Sequence, residues 1–463
     1  MPKVLSTVRH PALSLWQSCL HREISRKEPP RDVEGLGSSV EHPVMEDACA
    51  AAREHAGSHD VEPSLTLGRK ASACARLCAR LALARFRGDH EEVQRLMSEL
   101  RFTSCDPLWV ESLVAYERAL LLHRTPFYRR HASLEDFVLP ELPDEATVAL
   151  LADWGTGMPD ARALLEQIST CFRPDAILHL GDIYYSGTPH EVRAHFIEVF
   201  ADVFGARWPR VLALSGNHDR YSGGEGYRVL LDGLGQPASY FCLRTRYWQL
   251  LGMDTGLHDF NPRALADTLT RLEDSEVEWL VDKVHPAGGR GTVLLSHHPF
   301  FSLASVGHDA RGRKLALNPN LARAFASILG DVSFWFWGHE HNVHIYEPYA
   351  GLVRGRCIGA GAVPVLLHEQ RNSPLPGLVP APGESGPPRR VPGTRLGNDG
   401  LLDHHAYAIL SLRGPQLTVR YFQMANRLLV PGHVPPPGPP LHEETVTLSA
   451  PACRDSGALP GSW

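Results

Sequence analysis

Five short stretches of this chain bring together side chains that hold metal ions or move protons. They are Asp153-Trp-Gly155, Gly181-Asp182-Ile-Tyr184-Tyr185, Gly216-Asn217-His218-Asp219, His297-His298 and Gly338-His339-Glu-His341. Carboxylates, an amide carbonyl and imidazoles in one set are the ligands that divalent and trivalent cations take. His339 and His341, at positions i and i+2, lie on one side of an extended segment, so both reach the same site. Asp182 is the candidate for a single carboxylate shared between two cations. Such a pair, about 3.5–4 Å apart, needs a bridging anion and depresses the pKa of a bound water toward neutrality. Asn217 ligates through a neutral carbonyl, His218 beside it is placed to face an incoming phosphate, and Asp219 is placed to fix the tautomer of that imidazole.

Apolar runs precede each stretch. Residues 147–152, 175–180, 210–215, 292–296 and 332–337 read as buried strands that end where the ligands begin. Ligands of open α/β sheets gather in the crevice beyond the carboxyl ends of the strands, which brings Asp, Asp, Asn, His and His to one place. Residues 159–171 read as the returning helix of a strand-helix-strand unit, and 225–240 and 259–286 as crossovers containing helices. Asp254, after the apolar run 247–253, reads as a turn residue. Residues 406–412 and 417–422 read as the closing hairpin of a second sheet.

In order, the motifs Asp153-x-Gly155, Gly181-Asp182-x-x-Tyr185, Gly216-Asn217-His218-Asp219, His297 and Gly338-His339-x-His341 resemble the signature of the calcineurin-like metallophosphoesterases. The resemblance spans residues 147–425 and is closest to the purple acid phosphatase pattern, since Gly155 stands where many relatives place a metal-binding histidine and Tyr185 is the compensating ligand. It implies an α/β fold, a two-sheet β-sandwich flanked by helices. It also implies two metal ions, one held by Asp153, Asp182, Tyr185 and His341, the other by Asp182, Asn217, His297 and His339. A tyrosinate favours trivalent iron, so Fe is expected at the Tyr185 position and Zn, Mn or Fe at the other. The implied reaction is hydrolysis of phosphate monoesters by metal-hydroxide attack, with His218 neutralising the phosphoryl oxygens. His308 resembles the loop histidine that protonates the leaving group in that family. His298 is its rival for that proton or a structural neighbour of Pro299. Tyr184 reads as packing, and His190, His195 and His344 as ordinary surface or supporting histidines. The alternatives are a phosphodiesterase acting on cyclic or linear nucleotides, or a non-catalytic scaffold using the same fold.

At 463 residues the chain has room for a catalytic domain and one more, and a net charge of −6 gives no general drive toward nucleic acid or anionic membrane. Nine dispersed cysteines form no Cys-x-x-Cys pair, and with no secretory signal or membrane span in view, a reducing, cytoplasmic setting is expected. Residues 1–68 read as a poorly ordered segment. Residues 69–125 read as a small helical domain, where an arginine stripe (Arg69, Arg76, Arg80, Arg87) reads as a solvated flank or as a docking surface for a protein partner. Residues 126–146 are a connector, 371–400 a Pro/Gly-rich loop not expected to pack, and 426–463 a Pro-rich tail expected to be extended or disordered. The expected partner of the site is a phosphorylated substrate.

Overall fold

The computed structural model describes residues 126–449, apart from 262–267, 286, 366, 368–371, 401 and 427–433, together with residue 89 and a few residues between 115 and 124. The segment 1–68 and nearly all of 69–125, including the arginine stripe, lie outside the described residues.

In chain order the described strands are β1 (Glu145–Leu151), β2 (Ala176–His179), β3 (Arg210–Ala213), β4 (Phe241–Arg244), β5 (Trp248–Gly252) and β6 (Gly291–Leu295). They continue with β7 (Val332–Trp337), β8 (Val343–Ile345), β9 (Gly355–Ile358), β10 (His405–Arg413), β11 (Gln416–Met424) and β12 (His442–Thr447). They form two six-stranded sheets, ordered β12-β11-β10-β1-β2-β3 and β4-β5-β6-β7-β9-β8. Side chains of a strand alternate between faces, and the burial follows that period. Val148 and Leu150 of β1 pack between the sheets with Val293 and Leu295 of β6 and Phe334 and Phe336 of β7. The alternate residues, Ala149 and Leu151, face outward against Leu164, Leu165 and Ile168 of the helix Pro159–Phe172. On the other sheet Leu294, Trp335 and Trp337 face the helices Asp274–Val284 and Pro319–Phe325. The result is a two-sheet sandwich with helices on both outer faces, as expected.

The helix Pro159–Phe172 opens on a proline, whose fixed φ suits the first helical position, and ends where Arg173 turns left-handed at φ 47°. It returns the chain so that β1 and β2 run parallel, and β2 and β3 are parallel as well. In the second sheet β5, β6 and β7 are also parallel. These directions send the ends of β1, β2, β3, β6 and β7 into the loops that carry the candidate ligands.

Three expectations are corrected here. The hairpin β10–β11 does not close a second sheet: β10 pairs antiparallel with β1, Ala149 opposite Ile409, and so extends the first. The tail contributes β12, paired with β11 from Gln416↔Thr447 to Tyr421↔His442. Its alternating exposure, with Glu443, Thr445 and Thr447 outward, suits an edge strand, a pattern overshadowed by the neighbouring proline run. The Pro/Gly-rich segment also packs. Leu378, Ala381 and Leu396 are buried, the Val379 N–H donates to the Lys314 carbonyl (2.8 Å), and the Val391 N–H donates to that of Ile345 (2.7 Å).

Candidate metal centre

The backbone of the site is held in a conformation that side chains resist. Asp153, Asp182, His339 and His341 all adopt positive φ, at 54°, 74°, 68° and 47°. Non-glycine residues pay for this, and such positions cluster at functional sites. Two glycines let the loops approach: a Cβ on Gly216 would lie 2.0 Å from Asp182 Oδ1, and one on Gly338 would lie 2.6 Å from Asp153 Oδ2.

Two donor sets result, with Asp182 between them. On one side the Tyr184 hydroxyl lies 2.9 Å from Asp153 Oδ1, 3.1 Å from Asp182 Oδ2 and 2.8 Å from His341 Nε2. On the other, Asn217 Oδ1 lies 3.1 Å from both His297 Nε2 and His339 Nδ1, and those two nitrogens are 3.2 Å apart. His297 Nε2 is also 3.4 Å from Asp182 Oδ2. Asp153, Asp182 and His341 bring ligating atoms within 4.8 Å of one another, and so do His297, His298 and His339.

The hydrogen-bond chemistry says what these sets lack. His297 Nδ1 is 2.9 Å from the Leu180 carbonyl, which only accepts, so this nitrogen carries the proton. Its Nε2 then turns a lone pair toward the Asn217 carbonyl and the Asp182 carboxylate, which are themselves acceptors. Lone pairs aimed at one point are complementary to a cation. The same demand for positive charge shows in titration: burial disfavours an imidazolium at His297, yet the charge and hydrogen bond of Asp182, with Asp153, raise its pKa to about 9, which puts a proton on Nε2 at the point a cation would take. Asp182 itself, although buried, is held well below the usual carboxylate range, chiefly by His297 and His218. His339 is pushed well below the ordinary imidazole value by burial and by His298 and His297, which leaves its nitrogens free to ligate. Asp153, Asp182, His341, Asn217, His297 and His339 therefore fit a pair of cations.

The hydroxyl that meets Asp153, Asp182 and His341 belongs to Tyr184, the residue read as packing, while Tyr185 offers its backbone: its N–H donates to Glu191 and its carbonyl accepts from His218 Nδ1 at 2.7 Å. Next to two carboxylates a tyrosine hydroxyl is a donor, and burial and the charges of Asp153 and Asp182 raise its pKa well above the usual phenol value.

Asp219 also departs from its expected role. Its carboxylate accepts the N–H groups of Asp182 (2.9 Å), Ile183 (3.0 Å) and Gly216 (2.8 Å), tying two ligand loops together, and it makes no bond to the His218 ring. The His218 tautomer is set instead by the Tyr185 carbonyl, which leaves Nε2 toward the cavity, 4.0 Å from Asp182 Oδ2.

A cavity of about 250 Å³ opens over the cluster, and His218, His298 and His308 line it together with Asp182, Asn217 and His339. His298 is buried against Asp259 (3.1 Å) and Thr255 (3.1 Å). His344 also reaches the cavity and bonds the Tyr346 hydroxyl at 3.0 Å, whereas His190 is exposed. His195 bonds the Tyr184 carbonyl at 2.9 Å, so it supports the segment that presents the Tyr184 hydroxyl.

Asp254 heads a turn, as expected, its Oδ1 accepting the Leu257 N–H at 3.1 Å, but it also does more. It forms a fully buried ion pair with Arg220 (2.6 Å) and accepts from Ser215 Oγ (2.5 Å), bracing the turn that carries Asn217 and His218. An arginine just after Gly-Asn-His-Asp was the one trace of this in the sequence, and nothing local linked it to a carboxylate two strands away.

Residues 146–343 match the family model described as calcineurin-like phosphoesterase. This segment is a calcineurin-like phosphoesterase domain. Asp153, Asp182, Asn217, His297, His339 and His341 all fall inside the matched range. No curated protein matches the chain. Among solved structures, GAP50, "the anchor in the inner membrane complex of Plasmodium", is similar at 11% identity, covering 66% of this chain and 90% of that one with a TM-score of 0.42. A predicted phosphoesterase from Streptococcus pneumoniae TIGR4 is similar at 10% identity, 60% and 90% coverage and a TM-score of 0.24. A single mutant of Vps29 from Entamoeba histolytica is similar at 12% identity, 65% and 99% coverage and a TM-score of 0.25.

Proposed function

We propose that the calcineurin-like phosphoesterase domain hydrolyses phosphate monoesters of small compounds with the help of two metal ions. The observation that carries this reading is the pair of donor sets at the cavity, joined where Asp182 Oδ2 of one comes within 3.4 Å of His297 Nε2 of the other. Asp153, Asp182 and His341 would hold one cation and Asp182, Asn217, His297 and His339 the other. Bound there, the pair would polarise the phosphoryl oxygens and supply a nucleophilic water at neutral pH.

The chain's own residues do the rest. His218, its Nδ1 proton committed to the Tyr185 carbonyl, turns Nε2 to the cavity and there donates, when protonated, to a phosphoryl oxygen. Tyr184 donates its hydroxyl among Asp153, Asp182 and His341 and holds the first donor set in register. His308, on the cavity wall, is positioned to give the leaving group its proton. The cavity, at about 250 Å³, lies just below the ~300 Å³ lower end of ordinary small-molecule sites, which favours a small ester over a polymer.

Iron at the first position is part of this proposal, with Tyr184 in place of Tyr185 as the phenol beside it, and zinc, manganese or iron at the second. We place the protein in the cytoplasm, a setting that the free thiols of Cys171, Cys242 and Cys357 suit. No described helix is long and apolar enough to cross a membrane. Assays of metal-replete protein on p-nitrophenyl phosphate and bis-p-nitrophenyl phosphate test the reading. Faster turnover of the monoester is expected. Preference for the diester would make the domain a phosphodiesterase, and turnover of neither would leave a scaffold.

A further inference from the structure

The two cations of the proposed site would offset the charge of one phosphoryl group, so any further anion on the substrate would need a partner of its own. Lys314 is the one lysine or arginine among the described residues that line the cavity. It has no carboxylate partner among the described residues. Its nearest candidate on the same hairpin, Asp309, is already engaged by the Arg313 guanidinium at 2.8 Å and by the Arg311 and Arg313 N–H groups at 2.9 Å each. The acids of the cavity wall are engaged too: Asp259 faces His298, and Glu340 takes hydrogen bonds from Ser302 and Trp337.

The backbone under Lys314 is fixed from both sides. It pairs with His308 across the hairpin, where the Leu315 N–H donates to the Gly307 carbonyl at 2.9 Å. From the other side, the Lys314 carbonyl accepts from the Val379 N–H of the Pro/Gly-rich segment at 2.8 Å. The ammonium thus hangs from an anchored strand pair beside the histidine proposed to meet the leaving group, which is where the far end of a substrate would lie. A flexible, hydrated ammonium on a fixed stem recognises anions as a point charge without demanding one geometry.

Resting on the monoesterase reading, we propose that Lys314 makes the site select phosphate monoesters whose leaving group carries a second anionic group, a carboxylate or another phosphate. A charged hydrogen bond contributes about 1.5–3 kcal/mol, and the lysine is exposed, so the expected preference is at the low end, roughly tenfold in kcat/KM.

The test compares two esters of one skeleton, 3-phosphoglycerate and glycerol 3-phosphate, which differ by a carboxylate in place of a hydroxymethyl group. Fructose 1,6-bisphosphate against fructose 6-phosphate gives the corresponding phosphate arm, and p-nitrophenyl phosphate is the common reference. In the metal-replete wild type, the doubly anionic member of at least one pair is expected to lead by about tenfold. Lys314→Met should erase that lead through KM while p-nitrophenyl phosphate turnover stays within about twofold, and Lys314→Arg should keep most of it. Turnover of p-nitrophenyl phosphate with no preference in either pair, or an equal loss on all substrates in Lys314→Met, overturns the assignment of Lys314 alone. Turnover of none of the esters overturns the monoesterase reading and this inference with it.

Discussion

Arg220→Met tests whether the turn carrying Asn217 and His218 depends on an ion pair buried beneath it. Arg220 and Asp254 are both fully enclosed and 2.6 Å apart. The guanidinium also donates to Ser215 Oγ (3.1 Å) and to the Phe127 carbonyl (2.7 Å), and it lies 4.7 Å from the Tyr227 ring centre. Methionine fills a similar volume, so the loss is electrostatic more than steric. It leaves the Asp254 carboxylate buried beside Glu276, whose own carboxyl is pushed well above the usual range by burial and by Asp254. Breaking one partner of such a pair costs about 3–5 kcal/mol, or roughly 5–8 °C in Tm for a domain of about 300 residues. Thermal and urea melts of Arg220→Met, with Asp254→Asn added, separate the causes. The double variant should recover at least half of the loss, because it removes the stranded charge. A single-variant loss under about 1 kcal/mol, or no recovery in the double, would refute the argument that the charge is what Arg220 balances.

Tyr184→Phe should weaken metal retention by roughly 10- to 100-fold, the equivalent of losing one donor to charged acceptors at about 1.5–3 kcal/mol. Tyr185→Phe should leave retention near wild type; equilibrium dialysis against a chelator series reads both, and the reverse order would restore Tyr185 as the ligand. The carboxylates of Asp153 and Asp182 hold the proton on Tyr184, so a visible absorption band in the iron-loaded wild type requires a ferric ion to displace that proton; such a band should be lost in Tyr184→Phe and kept in Tyr185→Phe. Away from the site, Glu444 accepts two 2.7 Å hydrogen bonds from Arg356 and one of 2.7 Å from Tyr421. Burial works to raise its pKa, but the bonds and charge of Arg356 outweigh it and hold the carboxyl below the ordinary glutamate value. The stabilisation is therefore complete above the unfolded glutamate value and is lost as pH falls through the lower folded one. The Tm gap between wild type and Glu444→Gln should be widest near neutrality and shrink below about pH 4.5; a gap that stays constant to pH 3 would contradict this.

The convergence of the candidate ligands was legible because those residues sit where apolar runs stop. The strand expected at 332–337 is β7 itself, and a chain that enters His339 and His341 from such a strand has few places to send them. What the sequence hid was set by contacts distant along the chain. Tyr184 and Tyr185 are adjacent and chemically identical, and which one faces inward depends on Glu191, His195 and His218 gripping the backbone between them. Asp219 looks like a partner for its neighbour His218, yet three N–H groups from two loops compete for it and win. The Pro/Gly-rich segment lacks any period that would announce packing, and its place is fixed by main-chain bonds to Lys314, Ala316 and Ile345.

Counting metal ions in Asp182→Asn beside the wild type is the most direct test of the shared carboxylate. Wild type is expected to retain two equivalents by elemental analysis after gel filtration and to hydrolyse p-nitrophenyl phosphate; Asp182→Asn should lose occupancy at both positions and turnover together. Two equivalents retained with unchanged turnover in the variant would contradict the claim that Asp182 joins the two donor sets.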